Sequence, residues 1–292
     1  MFRNVLVPLD GSAAAEHALP WAVAAAAPSG TVHLVHIHLP PVPVVVEGVV
    51  MSDPSLDESA REQEGESIVR LAERVRAAAP RLAVVARTID TDDGLADALA
   101  KAAADAAADL VAMTTHGRGP FARFWLGSVA DEFLRHSPAP VLVLRPRDPD
   151  APPDLAAKPA LRQLIIPLDG SDLAGRILEP AARLGGVFGA EYTLLTVLDP
   201  ADDPVVAARR AEAYLEPVAR SIAERAGAVR TRVVRKESPA EAVLALAGGD
   251  PATGVALATH GRSGVGRLLH GSVADELVRK APGPVLVLHP PG

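Results

Sequence analysis

Along the chain, short continuous apolar runs alternate with longer Ala-rich stretches that mix apolar and charged positions. The apolar runs fall near 3–9, 31–38, 82–89, 109–114 and 140–144, and again near 162–168, 190–198, 229–235, 253–258 and 284–288. They lack a polar residue at every second place, which predicts strands covered on both faces. In the first half, the intervening stretches predict helices near 12–27, 57–79, 94–108 and 127–137. Strand–helix alternation of this kind predicts parallel strands joined by right-handed crossovers. In the second half, "ESPAEAV" marks a helix start, with Ser238 as N-cap, Pro239 next and Glu241 closing a capping box.

The pattern is written twice. "NVLVPLDGS" from Asn4 returns as "QLIIPLDGS" from Gln163, and "SPAPVLVLRP" from Ser137 returns as "APGPVLVLHP" from Ala281. "THGRGPFARFWLGSVADE" (115–132) returns as "THGRSGVGRLLHGSVADE" (259–276). "DPDAPPDLAAKPA" between the copies is rich in Pro, Ala and Asp and reads as a linker. The expected organisation is a first domain over 1–147, a linker over 148–160 and a second domain over 161–292. The Asp-Gly-Ser landmarks at 10 and 169 lie 159 residues apart, whereas the Gly-Ser landmarks at 127 and 271 lie 144 apart. The second copy is therefore 15 residues shorter, and the expected place is after its second strand, where the first copy carries "LPPVPVVVEGVVMSDPSLDE". That segment reads either as a lid or partner surface, or as a loop packed on the protein, with packing favoured.

Composition narrows the classes. The chain is 49% hydrophobic and 22% charged, which suits globular cores. With 36 acidic and 29 basic residues its formal charge is −7, so there is no basic surplus for nucleic acid or for anionic lipid. The absence of cysteine excludes disulfides, thiolate catalysis and cysteine-based metal sites. The first apolar run is too short for a signal peptide, and no run approaches the ~18 apolar residues of a membrane span. A soluble cytoplasmic protein is expected.

Chemistry concentrates where the fourth strand of each copy gives way to a loop and then to a helix opening at Gly-Ser. A helix N-terminus offers free N–H groups and partial positive charge to a phosphate, and glycine lets the backbone approach. In open α/β sheets ligands sit beyond the carboxyl ends of the strands, where strand order reverses. Asp10 and Asp169, after the first strands, sit at such ends too.

These residues resemble the universal stress protein family, in two tandem copies covering nearly the whole chain. The family motif is G-x2-G-x9-G-[ST]. Its positions here are Thr114, Gly117, Gly127 and Ser128 in the first copy, and Ala258, Gly261, Gly271 and Ser272 in the second. The spacing is kept, and the first glycine is replaced in both copies. The resemblance implies two doubly wound, Rossmann-like α/β domains of the adenine nucleotide alpha hydrolase-like type, each a five-stranded parallel sheet with helices on both faces. It also implies binding of ATP or a related adenine nucleotide, with or without Mg. Asp10 and Asp169 would lie near ribose and adenine, the main chain of Ile37 and Val197 would meet the adenine edge, and Gly127-Ser128 and Gly271-Ser272 would hold phosphates. Family members dimerise through the last strand, here Val141–Leu144 and Val285–Leu288, so either an intramolecular pseudo-dimer or a homodimer follows.

Several alternatives stay open at this level. Asp10 and Asp169 either cap the first turn or face ligand. Arg118 and Arg262 either contact phosphate or stand in solvent. His116 and His260 read as structural loop residues. His36 and His38 share one strand face, but no carboxylate at ligand spacing accompanies them in the sequence, so no metal is expected. Pro120 stands where the second copy has Gly264 and stiffens the first loop, which predicts tighter binding at the second site. With no Walker A string and no paired-carboxylate metal site, the leading reading is a regulatory nucleotide-binding stress protein acting on an unknown protein partner. The rivals are a slow ATP hydrolase or phosphoryl or nucleotidyl transferase, and an interaction module with degenerate sites.

Overall fold

The computed structural model describes residues 1–40, 44–46, 49–51, 54–91, 94–115, 128–259 and 272–289. The first repeat runs β1 (Asn4–Leu9), α1 (Ala13–Glu16), α2 (Leu19–Ala26), β2 (Thr31–His38), β3 (Val44–Val46), β4 (Val49–Met51), α3 (Pro54–Ala78), β5 (Ala83–Asp90), α4 (Leu95–Asp105), β6 (Leu110–Thr114), α5 (Ser128–His136) and β7 (Val141–Leu144). The second runs β8 (Gln163–Pro167), α6 (Asp172–Gly175), α7 (Leu178–Phe188), β9 (Glu191–Leu198), α8 (Pro204–Ala226), β10 (Val229–Arg235), α9 (Pro239–Ala247), β11 (Thr253–Ala258), α10 (Ser272–Lys280) and β12 (Val285–Leu288).

Each repeat forms a five-stranded parallel sheet, and the two sheets join edge to edge. The ten strands follow the order β10-β9-β8-β11-β12-β7-β6-β1-β2-β5. The junction is the antiparallel pair β7–β12, with Leu142 opposite Leu286 and Val143 opposite Val285. Both "VLVL" strands are thus interior strands of one long sheet, and Leu142, Leu286 and Val287 are almost fully buried. An edge strand of that composition would expose a sticky apolar edge. Pairing the two copies removes both edges at once.

Helices cover both faces. Val5, Val7 and Leu9 of β1 point to the side packed by α2 and α3, in the same apolar cluster as Leu184 of α7 and Leu215 of α8. Leu6 points to the other side, where α4, α5, α9 and α10 contribute Leu99, Phe133, Val243 and Leu277. The period of two along each strand feeds both cores, which is why the sequence shows no polar alternation.

Three details depart from the sequence expectation. The single helix over 12–27 is two pieces, α1 and α2. Pro20 explains the restart, because it lacks an N–H and its ring would strike the carbonyl of residue 16 in a continuous helix. The α3 helix begins at Pro54 rather than 57, with proline in the first helical position, where the missing N–H costs nothing. Part of the apolar segment after β2 forms the antiparallel hairpin β3–β4. The length difference falls in this crossover: Thr31 registers with Ala83, 52 residues on, and Tyr192 with Val229, 37 residues on.

Further contacts tie the repeats together. The guanidinium of Arg183 on α7 donates to Asp109 at 2.5 Å and to the Met1 carbonyl at 3.0 Å, and lies over the Phe2 ring. Asp109 also accepts from the backbone N–H groups of Arg3 and Asn4. Burial works against its charge, but these donors outweigh burial and hold the carboxyl below its ordinary range. Trp21 packs on Phe188 across the same seam.

Candidate functional site

Strand order reverses between β1 and β6 in the first repeat and between β8 and β11 in the second. In both, the residue at the end of the fourth strand (Thr114 or Ala258) lies at the same end of the sheet as the Asp that follows the first strand (Asp10 or Asp169). The next residue in each, Thr115 and Thr259, donates its N–H to the last carbonyl of the fifth strand, Leu144 at 3.0 Å and Leu288 at 2.8 Å. The loop therefore leaves both copies from the same anchor.

The Asp-Gly-Ser turns are near duplicates. Asp10 Oδ1 accepts from Ser12 N–H at 2.9 Å and from its hydroxyl at 2.5 Å, while Ser12 Oγ accepts from Ala15 N–H and caps α1. Asp169 accepts from Ser171 at 2.9 and 2.6 Å, and Ser171 caps α6 through Ala174. Gly11 and Gly170 between them adopt φ of 75° and 84°, a left-handed turn that a side chain would strain. Each aspartate thus shapes the turn that aims it over the strand ends.

The second strand supplies Ile37, which is buried, and Val197, which is partly buried. Ile37 lies beyond the last registered pair of β1 and β2 (Leu9 with His36), and Val197 beyond that of β8 and β9 (Pro167 with Leu195). Their main chain on that side has passed the end of the ladder. The α5 helix begins at Ser128 and α10 at Ser272. Asp131 in the first turn of α5 pairs with Arg135, and Asp275 of α10 pairs with Arg279 at 2.7 Å, so an arginine answers the acidic charge near each helix start. Gly117, Arg118, Gly127, Gly261, Arg262 and Gly271 lie outside the described residues, as do His116, His260 and the Pro120/Gly264 pair.

Sequence reasoning missed one cluster. Glu64 of α3 approaches His36 Nε2 at 3.2 Å and His38 Nδ1 at 2.7 Å, and Asp57 approaches His38 Nε2 at 3.1 Å. Carboxylates do accompany the histidines, brought by the helix rather than by the strand. The available signal was the spacing of seven between Asp57 and Glu64, which places them on one helix face. No group of ligands suited to a metal ion is found among the described residues. Among the described residues, none of the predicted site residues lines the open trough of about 790 Å³ between α2, α7 and the linker. No described helix is long and apolar enough to cross a membrane.

Comparison with known proteins agrees with this architecture. The model of the universal stress protein family matches residues 1–145 and again 160–289. A universal stress protein of Thermus aquaticus, encoded in the QAH/OAS sulfhydrylase 3' region, is 32% identical over 139 residues, covering 44% of this chain and 98% of that protein. A universal stress protein structure from Archaeoglobus fulgidus DSM 4304 superposes with a TM-score of 0.69 at 20% identity, covering 98% of both chains. A putative universal stress protein from Pseudomonas aeruginosa UCBPP-PA14 gives 0.64 at 18% identity, covering 99% of this chain and 94% of that one. With its model matched twice and a doubly wound sheet in each half, the chain belongs to the universal stress protein family, as a tandem two-domain member.

Proposed function

We propose that the chain is a regulatory stress-response protein that binds ATP or a related adenine nucleotide at the carboxyl ends of its strands. The nucleotide acts as a ligand that alters partner choice. Each site belongs to its own domain, 1–147 or 161–292, joined by the linker 148–160. Asp10 or Asp169 meets the ribose and adenine side, and the main chain of Ile37 or Val197 meets the adenine edge. The loop residues Thr114, Gly117 and Arg118, or Ala258, Gly261 and Arg262, close over the phosphates. These rest on Gly127 and Ser128, or Gly271 and Ser272, at a helix start whose N–H groups and dipole favour anions.

The observation that carries this reading is the duplication of one constellation at the strand-order reversal of both sheets. An Asp-Gly-Ser turn of the same geometry follows the first strand of each repeat, and the helix after the fourth strand of each begins at serine. A plain N-cap would explain one serine. It would not explain why the strand-end aspartate and the helix start recur together at the position where such sheets take ligands.

The test is a calorimetric titration of the full chain with Mg-ATP, repeated on the double variant Gly127→Asp and Gly271→Asp. Saturable binding that the double variant loses supports the reading. No binding up to millimolar ATP would favour an interaction module whose missing first glycines, Thr114 and Ala258, have closed the sites.

A further inference from the structure

We propose that His38 forms a proton-dependent latch that fastens the amino-terminal half of α3 onto the carboxyl end of β2, and that this latch exists in the first repeat only. Hydrogen-bond geometry alone leads there. His36 Nδ1 stands 2.9 Å from the Leu9 carbonyl and its Nε2 3.2 Å from Glu64. His38 Nδ1 stands 2.7 Å from the same Glu64 oxygen and its Nε2 3.1 Å from Asp57. Three of these contacts are hydrogen bonds, His36 Nδ1 to Leu9 and both nitrogens of His38 to carboxylates, and a carbonyl or an ionised carboxylate can only accept. His36 meets its bond with the one N–H of a neutral ring. His38 needs two N–H donors where a neutral imidazole carries one, so the cluster as built must take up an extra proton.

The surroundings favour uptake on the rings. Burial of His38 works against its charge, but hydrogen bonds and charge from Glu64 and Asp57 outweigh burial and raise its pKa above the ordinary 6.5. Among the described residues, Asp90 on β5 and Arg61 on α3 are further charged groups on the elements packed against it. Asp90 lies level with His38 in the sheet but is engaged by Arg61 at 2.7 Å. A folded-state pKa above the unfolded one gives stability that is complete below about 6.5 and fades as pH rises through the folded value. The latch is closed at mildly acidic pH and opens as pH rises through the raised His38 value.

The second repeat carries a built-in control. Thr196 stands at the position of His36, and its hydroxyl donates to the Leu168 carbonyl at 2.9 Å, as His36 does to Leu9. Leu198 stands at the position of His38. The matching helix α8 is started by Asp203, which accepts from the N–H groups of Val205 and Val206. No histidine takes part there, so α8 is expected to hold its place across the same pH range.

The experiment uses the full chain without ligand. Imidazole nitrogen shifts, followed by NMR between pH 5 and 10, are expected to report a His38 midpoint above the ordinary 6.5, with both nitrogens protonated below it. Hydrogen exchange, corrected for the intrinsic pH effect, is expected to show protection of residues 58–66 falling roughly tenfold as His38 deprotonates, one decade being 1.4 kcal/mol. Residues 207–216 of α8 serve as the reference. Glu64→Gln and Asp57→Asn, both at partly exposed side chains, should each bring the His38 midpoint down toward 6.5. A His38 midpoint at or below 6.5, or a midpoint untouched by both variants, or equal pH response in α3 and α8, would each overturn the proposal.

Discussion

At the end of the second strand the two repeats satisfy the same carbonyl with different donors, an imidazole in one and a hydroxyl in the other. A few residues away the reverse trade occurs. Val5 registers with Val32 in the first sheet, and Leu164 with Tyr192 in the second. Tyr192 fills its site so fully that a Cβ on Gly185 would come within 2.6 Å of ring atoms, and its hydroxyl donates to the Ala182 carbonyl at 3.0 Å. Burial raises the Tyr192 pKa to about 12, so that hydroxyl remains a donor through the physiological range. In the first repeat valine stands at this place and Ala26 at that of Gly185. The fold thus fixes a volume and a hydrogen-bond demand, and each copy meets them with its own residues. What the two copies share without such trades is the Asp-Gly-Ser turn, the threonine anchor and the serine at the helix start.

This comparison can be broken most forcefully at Gly185. Gly185→Ala drives a methyl into the buried Tyr192 ring and is expected to cost about 3 kcal/mol of unfolding free energy, read by urea denaturation. Adding Tyr192→Val installs the pair of the first repeat. The double variant should lose less than the sum of the single losses, with a coupling of roughly 1–3 kcal/mol. Strict additivity would mean that the pair is not a compensated unit.

The seam between repeats is one-sided, because Ala24 stands where Arg183 stands in the second copy and cannot return its ion pair. Arg183→Ala should destabilise the chain by about 2 kcal/mol, since it leaves the half-buried Asp109 without its guanidinium. Asp109 is depressed in the folded state, so its contribution is present above the ordinary carboxylate range and is lost as pH falls through the lowered value. The variant should therefore lose less stability on acidification than the parent. An unchanged acid profile in denaturation would remove Asp109 from the seam's energetics.

The smallest effect tests sameness. Ser12→Ala and Ser171→Ala each remove an N-cap and are expected to cost about 1 kcal/mol each, equal within error. Thermal unfolding that separates them widely would show that the turns differ beyond their geometry.

Much of the architecture was legible because strands buried on both faces must be apolar throughout, and helices between them must restart after each one. The two "VLVL" runs announced burial but not their mutual pairing, since nothing in Val141–Leu144 names Val285–Leu288 rather than another chain as its neighbour. The break at Pro20 was readable from proline chemistry and was overridden by the long Ala-rich stretch around it. The Ser238 cap was read directly and is present, its hydroxyl accepting from Glu241 N–H at 3.2 Å. Of the His38 cluster only the shared helix face of Asp57 and Glu64 was legible, because its members meet only when β2 and α3, separated by a segment of unrelated pattern, pack together. Of the candidate site, the sequence supplied spacing and residue type. Turn geometry at Asp10 and Asp169 came only with the fold.

The most direct test of the account is a comparison of Gly127→Asp with Gly271→Asp, each titrated singly with Mg-ATP against the parent chain. Binding lost more severely in Gly271→Asp, with Gly127→Asp keeping most of the parent affinity, is the predicted result, given Pro120 in the first loop and Gly264 in the second. Binding unaffected by either change would contradict the placement of nucleotide at the two Gly-Ser helix starts.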